Sequence, residues 1–192
     1  VSHEIKDGYT RVTEILKPWN DFGGIPVEIL ENKRQIGVEL HEAIDLHNSC
    51  IPCDVREEVQ PYFDSYLEWQ SASGAKVVAN ENRYYDDVLK ITGQIDVLLK
   101  YPESNELVMC DWKTTHTLTP KGRVSWELQG TFYHYLMRQN DVPNIGSKFI
   151  FVQLNNKGKM PKTFEFEYTT DNMAICHSAL VVYRKYNPLK EG

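Results

Sequence analysis

The sequence predicts a mixed-sheet α/β protein, and three observations carry that prediction. Helical spacing fills the first third of the chain, strand-like runs follow Gly74, and one helical segment interrupts those strands. Over residues 26 to 48, Ile29, Ile36, Leu40, Ala43 and Ile44 recur near one helical face. A second helix is expected from Asp54, where Asp54 and Glu57 have capping-box spacing, through Tyr62, Tyr66 and Trp69 to a stop at 71–74. Three runs rich in Val, Ile, Leu and Tyr then read as strands, at 75–85, 88–100 and 106–113, with turn residues at 102–105 closing a hairpin. Helical spacing returns at 126–138. Two further strands, 146–154 and 160–168, are joined by turn residues at 155–158, and a helix over 171–185 closes the chain. An antiparallel meander followed by a crossover helix makes the sheet mixed.

No repeat, low-complexity tract or Pro/Gly/Ser-rich linker divides the chain. One domain over 1–192 is therefore expected, with a helical part (1–74), a sheet and crossover helix (75–168) and a C-terminal helix (169–192). At 192 residues and 22.3 kDa it can bury roughly 70% of its unfolded surface, so neither disulfides nor a structural metal is required. An apolar share of 41% with 25% charged residues excludes a wholly disordered chain. The longest apolar runs, 149–152 and 179–183, are far too short to span a bilayer, which predicts no membrane partner. The start lacks a signal-peptide pattern, and opening at Val1 without Met reads as a trimmed N-terminus. Cys50 and Cys53 have the spacing of half a metal knuckle, but no second pair follows, and Cys110 and Cys176 stand alone. The four read as reduced thiols of a cytosolic protein.

A net charge of −6 argues against a bulk nucleic-acid coat. Its distribution is uneven. Residues 1–96 carry 9 Lys/Arg against 18 Asp/Glu, whereas 97–192 carry 12 against 9. From Lys113 to Lys162 there are eight basic residues, among them Lys121, Arg123, Lys157 and Lys159, and two acids, Glu127 and Asp141. Such a stretch is either a solvated face or a phosphate-binding surface on an otherwise acidic protein.

Four short patterns carry chemistry jointly, although each is weak alone. Gly37 and His41 lie four apart on the long N-terminal helix. Gly93 and Asp96 interrupt an apolar strand, where an Asp is costly unless something pairs with it. Asp111 and Lys113, two apart on the next strand, share one face. Gln129 and Tyr133, at i and i+4 on the crossover helix, share another. An antiparallel hairpin brings Asp96 and Asp111 together, and two carboxylates that close repel unless a cation separates them. Oxygen ligands with one histidine suit Mg²⁺ or Mn²⁺, and Glu81 on the preceding strand adds a carboxylate for a second ion or its water shell. Lys113 beside them can orient a water or stabilise charge on a phosphate oxygen.

Taken in order, these residues resemble the PD-(D/E)XK nuclease superfamily and, within it, the RecB-like exonucleases. The matches are Gly37 with His41, Glu81, Gly93 with Asp96, Asp111 with Lys113, and Gln129 with Tyr133, over about residues 30–155. The resemblance implies a restriction-endonuclease-like αβββαβ core with an N-terminal helical region. It also implies metal ligation by His41, Asp96, Asp111 and the Trp112 backbone carbonyl, with one or two Mg²⁺ or Mn²⁺ ions. Lys113, Asp96, Asp111 and Glu81 would then be catalytic, and Gln129 and Tyr133 would position the lysine or DNA. A related branch carries an iron–sulfur cluster held by one early cysteine and three late ones; only Cys176 lies late here, so no cluster is expected.

The function so implied is metal-dependent hydrolysis of DNA phosphodiesters by an exonuclease acting on single strands or ends. Its setting would be the recombination, repair or phage DNA processing of a bacterial or phage-encoded cytoplasmic protein, with a helicase or recombination partner. Lys121, Arg123, Lys157 and Lys159 are the candidates for holding the DNA backbone. Alternatives are a DNA-end-binding subunit of a larger nuclease–helicase complex and an RNA-directed nuclease.

Overall fold

The computed structural model describes residues 5–19 and 26–189; the expected chain start and the last three residues of the domain lie outside them. The elements are β1 (Thr10–Arg11), α1 (Val12–Ile15), a 3-10 turn at Lys17–Trp19, α2 (Val27–Asn48), α3 (Gln60–Ser73), β2 (Lys76–Asp86), β3 (Ile91–Lys100), β4 (Leu107–Lys113), α4 (Pro120–Gln139), β5 (Ile145–Gln153), β6 (Lys162–Glu167) and α5 (Thr170–Tyr186). The α/β class, the mixed sheet and the helix order agree with the sequence reading.

Three boundaries move, each for a local reason. The α3 helix begins at Gln60 rather than Asp54: Pro61 suits a first turn, and Asp54 caps nothing. The β3 strand begins at Ile91 rather than 88, because Asp86 Oδ1 accepts the amides of Val88 (2.8 Å) and Leu89 (2.7 Å) and folds that segment into a turn. Helix α4 starts at Pro120, well before 126, where the Thr119 hydroxyl accepts the Gly122 amide at 3.0 Å. The short β1 and α1 have no period long enough to be read.

Five strands run in the order β1-β3-β4-β5-β6, with β2 on the far edge of β3. The β4–β5 pair is parallel, as the crossover through α4 requires, and the other long pairs are antiparallel. One edge of β3 is taken by β2 along its length. Its other edge is shared: β1 pairs in parallel at Ile91 and Thr92, and β4 pairs from Val97 to Lys100. Positions 93–96 have no strand partner on that edge, and this notch is where the site forms.

Two apolar layers cover the sheet. Ile95, Met109, Phe149 and Phe151 pack with α4 and α5, whereas Val97, Cys110, Trp112 and Ile150 pack with α2 and α3. Side chains on β4 and β5 alternate strictly between the layers. On β3 the phase slips: Ile91, Ile95 and then Leu98 face α4, while Val97 and Leu99 face α2 and α3. The slip falls at Asp96. Opposite it on β2, between the rungs Asn80↔Val97 and Asn82↔Ile95, Glu81 adopts a left-handed φ of 49°. Paired irregularities thus aim two acids toward α2.

Candidate active site

Helix α2 lies across β2 and β3 and is pinned by Leu40, Ala43 and Ile44 in the core. That burial fixes His41 at the cleft wall, its side chain 30% exposed, with Nδ1 3.6 Å from Glu81 Oε1 and 3.5 Å from Asp96 Oδ1. Ligand atoms of His41, Glu81 and Asp96 all lie within 4.8 Å of one another. Burial pulls the imidazolium pKa down, but Asp96, Glu81 and Asp111 outweigh it and lift it to about 9. Burial, and then the neighbouring Asp111, push the Asp96 carboxyl well above the usual carboxylate range.

The hairpin does bring Asp96 and Asp111 together, though not by continued backbone pairing. The β3–β4 ladder stops at Val97↔Cys110, and Asp96 Oδ2 accepts the Trp112 amide at 2.8 Å in its place. The Trp112 indole packs edge-on against Tyr66 (5.2 Å) and Trp69 (5.1 Å), which fixes the backbone at that position. One oxygen of Asp96 is therefore occupied and the other faces His41.

Asp111 sits beside the three-residue cluster and is 2% exposed. Its Oδ1 accepts from Gln129 Nε2 at 2.9 Å, while Lys113 Nζ approaches Oδ2 at 2.5 Å. The latter is an ion contact without hydrogen-bond alignment: among the described residues, Asp111 Oδ2 is buried with no hydrogen-bond partner. Gln129 brackets the pair, since its Oε1 accepts from Lys113 Nζ at 3.2 Å and its Nε2 also reaches the Tyr133 hydroxyl at 3.2 Å. A Cβ at Gly93 would stand 2.6 Å from the Tyr133 ring, so only glycine lets that ring lie on β3. Burial raises the Tyr133 phenol far beyond its ordinary value, leaving it a neutral packing and hydrogen-bonding group.

A cleft of about 750 Å³ opens over His41 and Glu81, within the size range of ligand sites. Its basic lining is Lys33 and Arg34 of α2, which charge counting overlooked because they lie in the acidic half of the chain. The signal was in the spacing: Lys33, Gly37 and His41 are each four apart. The expected backbone candidates lie elsewhere. Lys121 and Arg123 are exposed in the first turn of α4, and Lys157 and Lys159 are exposed in the β5–β6 loop. Cys50 is exposed and Cys53 half-buried, while Cys110 and Cys176 are buried.

The donor set suits a hard divalent cation. It combines three carboxylates and one imidazole, with a buried carboxylate oxygen still lacking a hydrogen bond. The family model of the PD-(D/E)XK nuclease superfamily matches residues 27–182, from the start of α2 into α5. The chain belongs to the PD-(D/E)XK nuclease superfamily. Its fold recurs in the first two of three similar solved structures, all of low sequence identity. A candidate exonuclease from Eubacterium rectale shares 12% identity over 96% of this chain and 83% of that one, with a TM-score of 0.55. The protein SSO0001 shares 13% over 99% and 82%, with a TM-score of 0.50. An alkaline exonuclease from Laribacter hongkongensis shares 8% over 93% and 87%, at 0.49. No curated protein matches the chain. Among the described residues, no helix of this PD-(D/E)XK protein is long and apolar enough to cross a membrane.

Proposed function

We propose that this PD-(D/E)XK protein is a metal-dependent DNA exonuclease that hydrolyses phosphodiester bonds with preference for DNA ends or single strands. The carrying observation is the bracket formed by Asp111, Lys113 and Gln129 beside the His41–Glu81–Asp96 cluster. His41, Asp96, Asp111 and the Trp112 carbonyl would hold a Mg²⁺ or Mn²⁺ ion, with Glu81 serving a second ion or its water shell. A divalent ion there supplies Lewis acidity to a phosphate oxygen and lowers the pKa of water.

The chain's own groups do the rest. Asp96 is fixed through the Trp112 amide, so its free oxygen keeps one orientation. Lys113, held by Asp111 and Gln129, aims its ammonium at the point where negative charge grows during attack on phosphorus. Tyr133 keeps Gln129 in place from below. Lys33 and Arg34 on the cleft wall, with Lys121, Arg123, Lys157 and Lys159 farther out, supply the cations that a phosphate backbone needs.

The test is digestion of one sequence as linear DNA, circular single-stranded DNA and linear RNA, with Mn²⁺ or Mg²⁺. Shortening of linear DNA with the circle intact is the expected result. Cutting of the circle would make the protein an endonuclease, and preferential loss of the RNA would reassign its substrate.

A further inference from the structure

A second cavity, of about 260 Å³, opens at the notch in β3 and is lined by Arg11, Thr13, Arg83, Gln94 and Tyr133, among others. We infer that Arg11 and Arg83 form a phosphate-binding subsite for the nucleic-acid strand, joined through Gln94 to the metal-ligand cluster; the inference rests on the nuclease reading above.

Strand register carries it. Arg11 pairs with Thr92 and Arg83 with Gln94, from opposite edges of β3. Thr92 and Gln94 are two apart and so share a face, which makes the two arginines converge there. Gln94 joins this cavity to the cluster: it accepts from Arg83 through Oε1 and donates through Nε2 to Glu81 Oε2. Glu81 Oε1 in turn faces His41.

The cations are not consumed by the protein. Among the described residues neither guanidinium lies within ion-pairing distance of a carboxylate, and the one hydrogen bond of Arg83 goes to a neutral amide. An arginine fork with free donors is well matched to phosphate oxygens.

The position of Arg11 is also built in. Its strand is only two residues long, yet the Thr10 amide bonds the Lys90 carbonyl at 2.9 Å. Arg184 of α5 then clamps the junction, donating to the Thr10 hydroxyl (2.8 Å), the Leu89 carbonyl (3.1 Å) and the Lys90 carbonyl (3.0 Å). A strand this short contributes little to the sheet itself. What the clamp secures is the presentation of Arg11 beside residues 93–96, on the edge of β3 that β2 does not cover.

The test is fluorescence anisotropy of a short labelled single strand, with Mn²⁺ at stepped NaCl, using the full chain carrying Lys113→Ala to block cleavage. Arg11→Ala and Arg83→Gln, each added to that background, are expected to weaken binding about tenfold and to reduce the salt slope by about one. Thermal midpoints measured alongside should stay at the background value for Arg11→Ala, which touches no ligand of the cluster. A loss confined to strands bearing a terminal phosphate assigns the subsite to a monoester, and a loss equal on hydroxyl-ended and circular strands assigns it to an internal diester. Affinity within twofold and an unchanged salt slope in both variants overturn the subsite. If the Lys113-intact protein still cleaves DNA in that case, only the subsite is lost; if it neither binds nor cleaves, the nuclease reading falls with it.

Discussion

At the scale of single residues, the site depends on one neutral amide more than on any one charge. Gln129 holds Asp111, Lys113 and Tyr133 at once, so Gln129→Ala should leave the fold intact and lower metal-dependent cleavage on the order of 10²-fold. Unchanged turnover in that variant, with circular dichroism as the fold control, would show that the bracket is ornamental. Much of this was legible because chemistry at fixed spacing survives folding: His41, Asp96, Asp111, Lys113, Gln129 and Tyr133 converge as their order implied. The left-handed Glu81 and the phase slip at Asp96 were not, since no propensity marks a non-glycine residue that leaves its strand's period. His134, away from the site, gives a pH prediction. It is fully buried, bonds the Gly146 carbonyl and accepts from Arg138 Nε at 3.2 Å, and burial lowers its pKa. The unfolded chain therefore binds the proton more readily. Stability should be whole above about pH 6.5 and fall as the pH drops below it toward the depressed folded value. Urea midpoints across that range check this, and His134→Gln should flatten the slope; an identical slope in the variant would assign the acid sensitivity elsewhere.

At the scale of elements, α4 decides whether the site is assembled. Its approach to the sheet is set at Gly130, where a Cβ would come within 2.2 Å of the Phe149 ring. Gly130→Ala should force helix and sheet apart, costing about 1–3 kcal/mol of stability and pulling Gln129 away from Asp111. Denaturant unfolding and cleavage rates on the same preparation test it, and a variant as stable and active as the parent would mean that Phe149 yields freely. The same helix shows how boundary reading fails. Its apolar period was visible from Trp126, but its first turn is exposed and rests on Thr119 and Pro120, which carry no amphipathic signal. The converse happened at Asp54, where capping-box spacing is present but the helix waits for Pro61.

At the scale of the whole molecule, the nucleic-acid contacts proposed for this acidic chain are local. Counting charge along the sequence points to 113–162, and folding adds Lys33 and Arg34 in the cleft and Arg11 and Arg83 at the notch, all four from the acidic half. The fold class and family were readable because the helix–meander–crossover order and the four short patterns agree with one another. The convergence of Arg11 and Arg83 was not, because it depends on which strands share β3. The most direct measurement of the central claim is cleavage of end-labelled DNA by wild type and Lys113→Ala in Mn²⁺, Mg²⁺ or EDTA, with melting curves recorded for each. Wild type should cleave only with a divalent ion and melt at a higher temperature in its presence. Lys113→Ala should retain the fold and the metal-dependent rise in melting temperature while losing about 10²–10⁴-fold in rate. Cleavage that persists in EDTA, or a Lys113→Ala protein as fast as wild type, would contradict the account.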